Sequence, residues 1–326
     1  MRRREFITLL GGAAAAWLLA ARAQQIATPV VGFLHSGSEI HSPHVIGFGQ
    51  GLSETGFVDG RNVTVQYRFA EGRYDRLPAM VADFVNRKVA VLAAVGGVQT
   101  AIAAKPASFT IPVIFANGSD PVQFGLVESL NRPGGNMTGV SFFTATLEAK
   151  RLGLLFELIP TARTFGILIN PTNDNAEQQL KDIAQGGLTL SRPVTIQKAS
   201  NEREIEAAFE TFGQQQVNAL LVGSDPYFFG QRGKIVALAA RYTLPAIYEW
   251  REFAQAGGLA SYGTNLLDDY RMAGVYVGRI LKGEKPANLP VVQATKFEFV
   301  INSKTAKALR LDVSPTLSAR ADDVIE

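Results

Sequence analysis

The chain has no cysteine and only three histidines among its 326 residues. Without thiols it can form no disulfide, zinc–thiolate site, cysteine nucleophile or lipidated cysteine. It also lacks the short signatures of several enzyme classes. No G-x-G-x-x-G follows a strand-like run, and there is no P-loop, H-E-x-x-H or G-x-S-x-G. Serine, histidine and aspartate are present, but no spacing marks a triad. Beyond residue 23 no apolar run approaches the roughly 18 residues of a membrane span. Residues 24–326 contain no block of Lys and Arg and no basic segment interleaved with aromatics.

Charge is short as well. The formal net charge is +3, and Arg2, Arg3, Arg4 and Arg22 against Glu5 account for all of it. The remainder is neutral overall, so the basic isoelectric point is no argument for a nucleic-acid partner, and none is expected.

The basic N-terminus has a specific form. Arg2–Arg4 precede an apolar stretch from Phe6 to Ala20, and Ala21-Arg22-Ala23 supplies a small-x-small cleavage pattern. Residues 1–23 are therefore expected to be a removable export signal, with cleavage before Gln24. Arg3-Arg4-Glu5-Phe6-Ile7 further resembles the twin-arginine export motif. The expected location is the periplasm, and with no cysteine to lipidate the protein should diffuse freely there.

About 300 residues remain after the signal, enough for two domains with large cores. One pattern repeats through them: a short Val/Ile-rich run ends in Gly, Ser, Asn or Asp, and a helix-like segment follows. Strands are expected at 29–34, 63–69, 89–95 and 111–115, with helices at 45–55, 74–86, 99–104 and 122–130. The series restarts with a helix at 147–158. Strands then fall at 164–170, 194–198, 219–222, 246–248 and 259–262, alternating with helices at 176–186, 202–214, 230–242 and 266–281. Ser200 with Arg203-Glu204 reads as the cap of the helix at 202. Such alternation predicts an α/β protein of two doubly wound, Rossmann-like parallel-sheet lobes. In open parallel sheets ligands gather outside the C-terminal strand ends. Here those are the loops at 35–38, 96–99, 117–121, 170–174, 224–228 and 248–251.

Several strings have a family character. They are Gly51-Leu52…Gly56…Gly60-Arg61-Asn62-Val63, Tyr67-Arg68-Phe69-Ala70-Glu71-Gly72, Ile111–Phe115 with Asp120-Pro121-Val122, Arg132-Pro133-Gly134-Gly135-Asn136-Met137-Thr138-Gly139-Val140-Ser141, and Ile301–Leu309 before Ala319–Asp322. Together they resemble the ABC-transporter substrate-binding family that includes tryptophan- and tyrosine-binding members. The similarity spans essentially the whole chain after the signal. It implies a periplasmic binding protein of type I: two lobes joined by a three-stranded hinge, with crossings near 139–141, 262–264 and 291–295. Lobe 1 would comprise 26–139 plus 265–290, and lobe 2 would comprise 140–262 plus 295–326. It further implies a monomer that captures a small solute, an amino acid or related carboxylate and possibly an aromatic one, and delivers it to an inner-membrane ABC permease. No cofactor and no catalysis are expected. A periplasmic sensory subunit that reports its ligand to a membrane receptor is the alternative. One departure is Arg310, which stands where family members usually have a helix-stopping glycine.

The candidate ligand contacts follow from the strand-end loops. They are His35 and Ser36 after the first strand, then Gly97, Val98 and Gln99, and Asn117. Phe142 follows the first crossing. Asn170, Asp225, Tyr227, Tyr248 and Trp250 lie in the second series. Asp225 could hold a ligand ammonium, as the family resemblance also implies, or cap a helix. The aromatics could stack on a planar ligand or simply fill core. His35, His41 and His44 have a suggestive H-x5-H-x2-H spacing, but with no carboxylate cluster beside them a polar loop is expected and not a metal site.

Overall fold

The computed structural model describes residues 28–38, 42–190 and 192–326. The export signal expected at 1–23, and His41, lie outside these residues.

The first sheet is built from β1 (Val30–His35), β2 (Thr64–Phe69), β3 (Val91–Val95), β4 (Val113–Asn117) and β5 (Met137–Ser141). Between them run the helices α1 (Pro43–Glu54), α2 (Leu77–Asn86) and α3 (Val98–Ala104). Then follow α4 (Glu148–Leu158), β6 (Phe165–Ile169), α5 (Ala176–Leu190), β7 (Val194–Lys198), α6 (Glu202–Gln214) and β8 (Ala219–Val222). The chain continues through α7 (Pro226–Gly230), α8 (Arg232–Arg241), β9 (Ala246–Tyr248), α9 (Arg251–Gln255), β10 (Ala260–Gly263) and α10 (Leu266–Leu281). It closes with β11 (Val292–Gln293), β12 (Glu298–Asn302), α11 (Ser303–Ala308), α12 (Pro315–Ser318) and β13 (Asp323–Ile325).

Two sheets result. One has the order β11-β5-β4-β3-β1-β2, and the other β13-β12-β10-β9-β8-β6-β7. Every residue of β3, β4, β6 and β8 is buried, because helices cover both faces of each sheet. This is the expected α/β architecture of two doubly wound lobes. The chain passes between the sheets three times: after β5, after β10, and between β11 and β12. The helix α10 returns to the first lobe and lies flush on α1. A Cβ on Gly51 would stand 1.8 Å from the Arg271 carbonyl oxygen, and one on Gly274 would stand 2.1 Å from that of Phe48. Glycine at these positions lets the two backbones approach.

Four expectations need correction. The helix expected at 122–130 is a series of turns. Asp120 does accept from the amides of Val122 and Gln123, but Gly125 at φ +62° ends the turn at once. Residues 137–141 form a full strand where only a crossing was expected. The second sheet is not wholly parallel, since β12 runs antiparallel to β10 after the last crossing returns the chain from the first lobe. The cap of α6 is Asn201, whose Oδ1 accepts from the Glu204 amide, while the Glu204 carboxylate reaches back to the Ser200 amide at 2.7 Å.

Candidate functional site

The C-terminal strand ends of both sheets face one another across a small cavity between the lobes. The first lobe contributes His35 at the end of β1, Gly96, Gly97 and Gln99 after β3, and Asn117 at the end of β4. It adds His44 from α1 and Tyr270 from α10. Phe142 and Thr144 follow the first crossing. The second lobe contributes Asn173, Asn175, Ser224, Asp225, Phe229, Glu249 and Trp250.

The cavity wall is aromatic on one side. His44 packs against the rings of His35, Tyr270 and Phe229, with centroids 4.6, 4.5 and 4.9 Å away, and Phe229 meets Trp250 edge-on at 5.3 Å. Both histidines are buried. Desolvation lowers His35 to about 3 and takes His44 well below its usual value, so both are neutral. The Gly37 amide donates to His35 Nδ1 at 2.9 Å, which leaves the ring proton on Nε2, toward Tyr270 Oη.

The rest of the wall is polar and incompletely satisfied. The Gln99 amide, Asn117 Nδ2, Thr144 Oγ1, Glu249 Oε2 and Trp250 Nε1 are all buried, and none makes a hydrogen bond of good geometry among the described residues, although Tyr74 stands beside Gln99, and Thr144 and Ser224 beside Glu249. Buried groups of this kind are rarely left unpaired, so five of them on one small cavity mark a place for a polar solute. No Lys or Arg lines the cavity, while two carboxylates do.

Asp225 is fully engaged. Its Oδ1 accepts from Asn170 Nδ2 and the Phe228 amide, both at 3.0 Å. Its Oδ2 accepts from Tyr74 Oη at 3.0 Å and Asn173 Nδ2 at 2.8 Å. It is thus the cap of α7, and burial raises its pKa despite the four donors.

The lobes are in contact around the cavity. Tyr74 on the first lobe reaches Asp225 on the second, and Asn175 Nδ2 donates to Ser119 Oγ. Gly72 lies so close to the Tyr227 ring that a Cβ there would stand 2.4 Å from it. The cleft is therefore closed.

Of the residues expected from the sequence, His35, Gly97, Gln99, Asn117, Phe142, Asp225 and Trp250 are on this cavity. Ser36, Val98, Asn170, Tyr227 and Tyr248 do not line it. The Ser36 hydroxyl donates to the Gly96 carbonyl, and Val98 is in the first-lobe core. Asn170 stands behind Asp225. Tyr227 packs at the rim against Gly72. Tyr248 points to the far side of its sheet and stacks on Phe253 at 4.6 Å, since alternation along β9 sends it away from the cleft. Missed were His44, Thr144, Asn173, Asn175, Ser224, Phe229, Glu249 and Tyr270. Glu249 carried a readable signal, being the first residue past β9. Tyr270 and His44 lie within helices and are indistinguishable in sequence from core-facing positions. Among the described residues no group of His, Asp and Glu could hold a metal ion.

Two α/β lobes closed over a cavity at their strand ends are the fold of type I periplasmic binding proteins. Residues 37–325 match the family model described as ABC transporter substrate binding protein, and the chain belongs to that family. It is 27% identical over 267 residues to a tyrosine-binding protein of Clostridioides difficile, covering 81% of this chain and 75% of the relative. Among solved structures it is similar to an ABC domain from Streptococcus pneumoniae in complex with L-Trp. That similarity has a TM-score of 0.82 and 25% identity, covering 92% of this chain and all of that one. A conserved domain protein from Vibrio cholerae shares the fold at TM-score 0.83 and 23% identity, covering 91% of this chain and 99% of that one. No helix among the described residues is long and apolar enough to cross a membrane.

Proposed function

We propose that this chain is the periplasmic solute-binding component of an ABC importer and that it closes on an aromatic amino acid. The observation that carries this reading is the cavity wall. Aromatic faces from His44, Phe142, Phe229, Trp250 and Tyr270 stand beside five buried polar groups that make no hydrogen bond of good geometry. A planar apolar body fits the first set, and a compact polar head fits the second. The binding of L-Trp and tyrosine by the two relatives supports the same class. The solute would be buried between lobes, and contacts made only on closure, such as Tyr74 to Asp225, would bias the closed form. That closed form would then dock on an inner-membrane permease. No cofactor and no catalytic step enter this reading. A melting screen over the common amino acids and small aromatic acids tests it. L-tyrosine or L-tryptophan should raise the melting temperature, because only the folded state binds. No stabilisation by any of them would contradict it.

A further inference from the structure

Resting on that reading, we infer that Glu249, and not Asp225, receives the ligand's ammonium group, and that it thereby selects solutes with a free amine. Two carboxylates reach the cavity, and their surroundings differ. The four hydrogen bonds to Asp225 occupy both of its oxygens, and three of the four come from its own lobe. Glu249 is 3% exposed, and its Oε2 makes no hydrogen bond of good geometry, with only the neutral hydroxyls of Thr144 and Ser224 beside the carboxylate. Its nearest cation is Arg151, whose Nη2 stands 4.0 Å from Glu249 Oε1, beyond hydrogen-bond reach.

Arg151 is committed elsewhere. It is fully buried and pairs with Glu148 at 2.9 Å. It also donates to Ser224 Oγ at 3.0 Å and to the carbonyls of Tyr262 and Thr144 at 2.8 and 3.1 Å. One guanidinium thus faces two carboxylates and pairs closely with only one, so Glu249 lacks a cation of its own at the cavity wall. The other groups that face Glu249 are Thr144, Ser224 and Tyr270, all uncharged. Burial accordingly pushes the Glu249 carboxyl up to about 8, with Arg151 offsetting this only in part. An ammonium in the cavity would complete the charge balance and fill the empty acceptor site. With no Lys or Arg on the lining, the ligand carboxylate would meet neutral donors, of which Asn117 Nδ2 and Trp250 Nε1 are free.

The test is calorimetric titration with L-tyrosine, L-tryptophan and N-acetyl-L-tyrosine, whose amine is neutral. The wild type, Glu249→Gln, Glu249→Asp and Asp225→Asn are compared, each checked for a cooperative melt. The wild type should prefer L-tyrosine over its N-acetyl form by about 30-fold or more, since only the free ammonium gives the Glu249 carboxylate a charge-assisted hydrogen bond. Glu249→Gln should weaken L-tyrosine by about 30-fold or more while leaving the N-acetyl form nearly unchanged. Glu249→Asp, which keeps the charge, should retain the preference at reduced affinity. Asp225→Asn should weaken both ligands alike. An unchanged preference in Glu249→Gln, or its collapse in Asp225→Asn alone, would overturn the inference and leave the aromatic-solute reading standing. No binding of either free amino acid to the wild type would overturn both.

Discussion

The hydroxyl of Tyr74 lies 3.0 Å from Asp225 Oδ2 and joins the two lobes across the mouth of the cleft. Tyr74 follows β2 in the first lobe, and Asp225 caps α7 in the second, so this bond exists only when the cleft is shut. Tyr74→Phe removes this bond together with the hydroxyl's contacts to Gln99 and the Tyr227 backbone. We expect it to weaken L-tyrosine binding by about tenfold, the scale of one hydrogen bond to a carboxylate. Small-angle scattering of the ligand-free variant should show a larger radius of gyration than the wild type. Equal affinities would mean that the bond contributes nothing to closure.

Arg151 ties both sides of the hinge to the cavity floor. It holds the Thr144 carbonyl beyond the first crossing and the Tyr262 carbonyl at the second, with Ser224 and Glu148 between them. Arg151→Met leaves Glu148 buried and without its cation. The expected loss is about 3–5 kcal/mol of unfolding free energy by urea titration. A loss below about 1 kcal/mol would show that water reaches the site and replaces the guanidinium.

The neutral histidines give a pH dependence whose sign is fixed. His35 and His44 hold protons less tightly when folded than the ordinary value of 6.5. Their neutral burial is free of penalty above pH 6.5, and stability falls as pH drops below it, because the unfolded chain then binds more protons. Glu249 and Asp269, raised by burial to about 8 and about 7, act in the opposite sense and gain stability as pH falls toward 4.5. His44→Phe isolates one histidine. Between pH 7.5 and 5 it should lose about 1–2 kcal/mol less stability than the wild type. Parallel pH profiles would contradict the neutral burial of His44.

Arg310 occupies a position suited to glycine. It follows α11 at φ +56°, and the Leu311 amide donates to the Ala306 carbonyl at 2.9 Å, the bond pattern of a left-handed helix stop. Arg310→Gly should therefore raise unfolding free energy by about 1 kcal/mol with no effect on binding, since the site is remote from the cleft. A destabilised variant would show that the arginine side chain makes a compensating contribution.

The series of strands and helices was legible because both lobes bury their strands on two faces, which leaves unbroken apolar runs such as Val91–Val95 and Phe165–Ile169. The connecting strands were not. Val292–Gln293 is two residues long and has no pattern to read. The segment 122–130 has helical composition, but the turn at Asp120-Pro121 and the left-handed Gly125 prevail locally. In the cavity, residues at strand ends could be located in sequence. Which way each side chain points could not, as Tyr248 and its neighbour Glu249 illustrate. His44 and Tyr270 come from helices whose buried stripe continues into the cleft without a change of composition.

The most direct test of the central claim is a calorimetric titration of the wild-type protein with L-tyrosine and L-tryptophan. Burial of an aromatic ring in the closed cleft predicts saturable binding at one site per chain, with an enthalpy that grows more negative as temperature rises. The absence of saturable heat with both amino acids would contradict it.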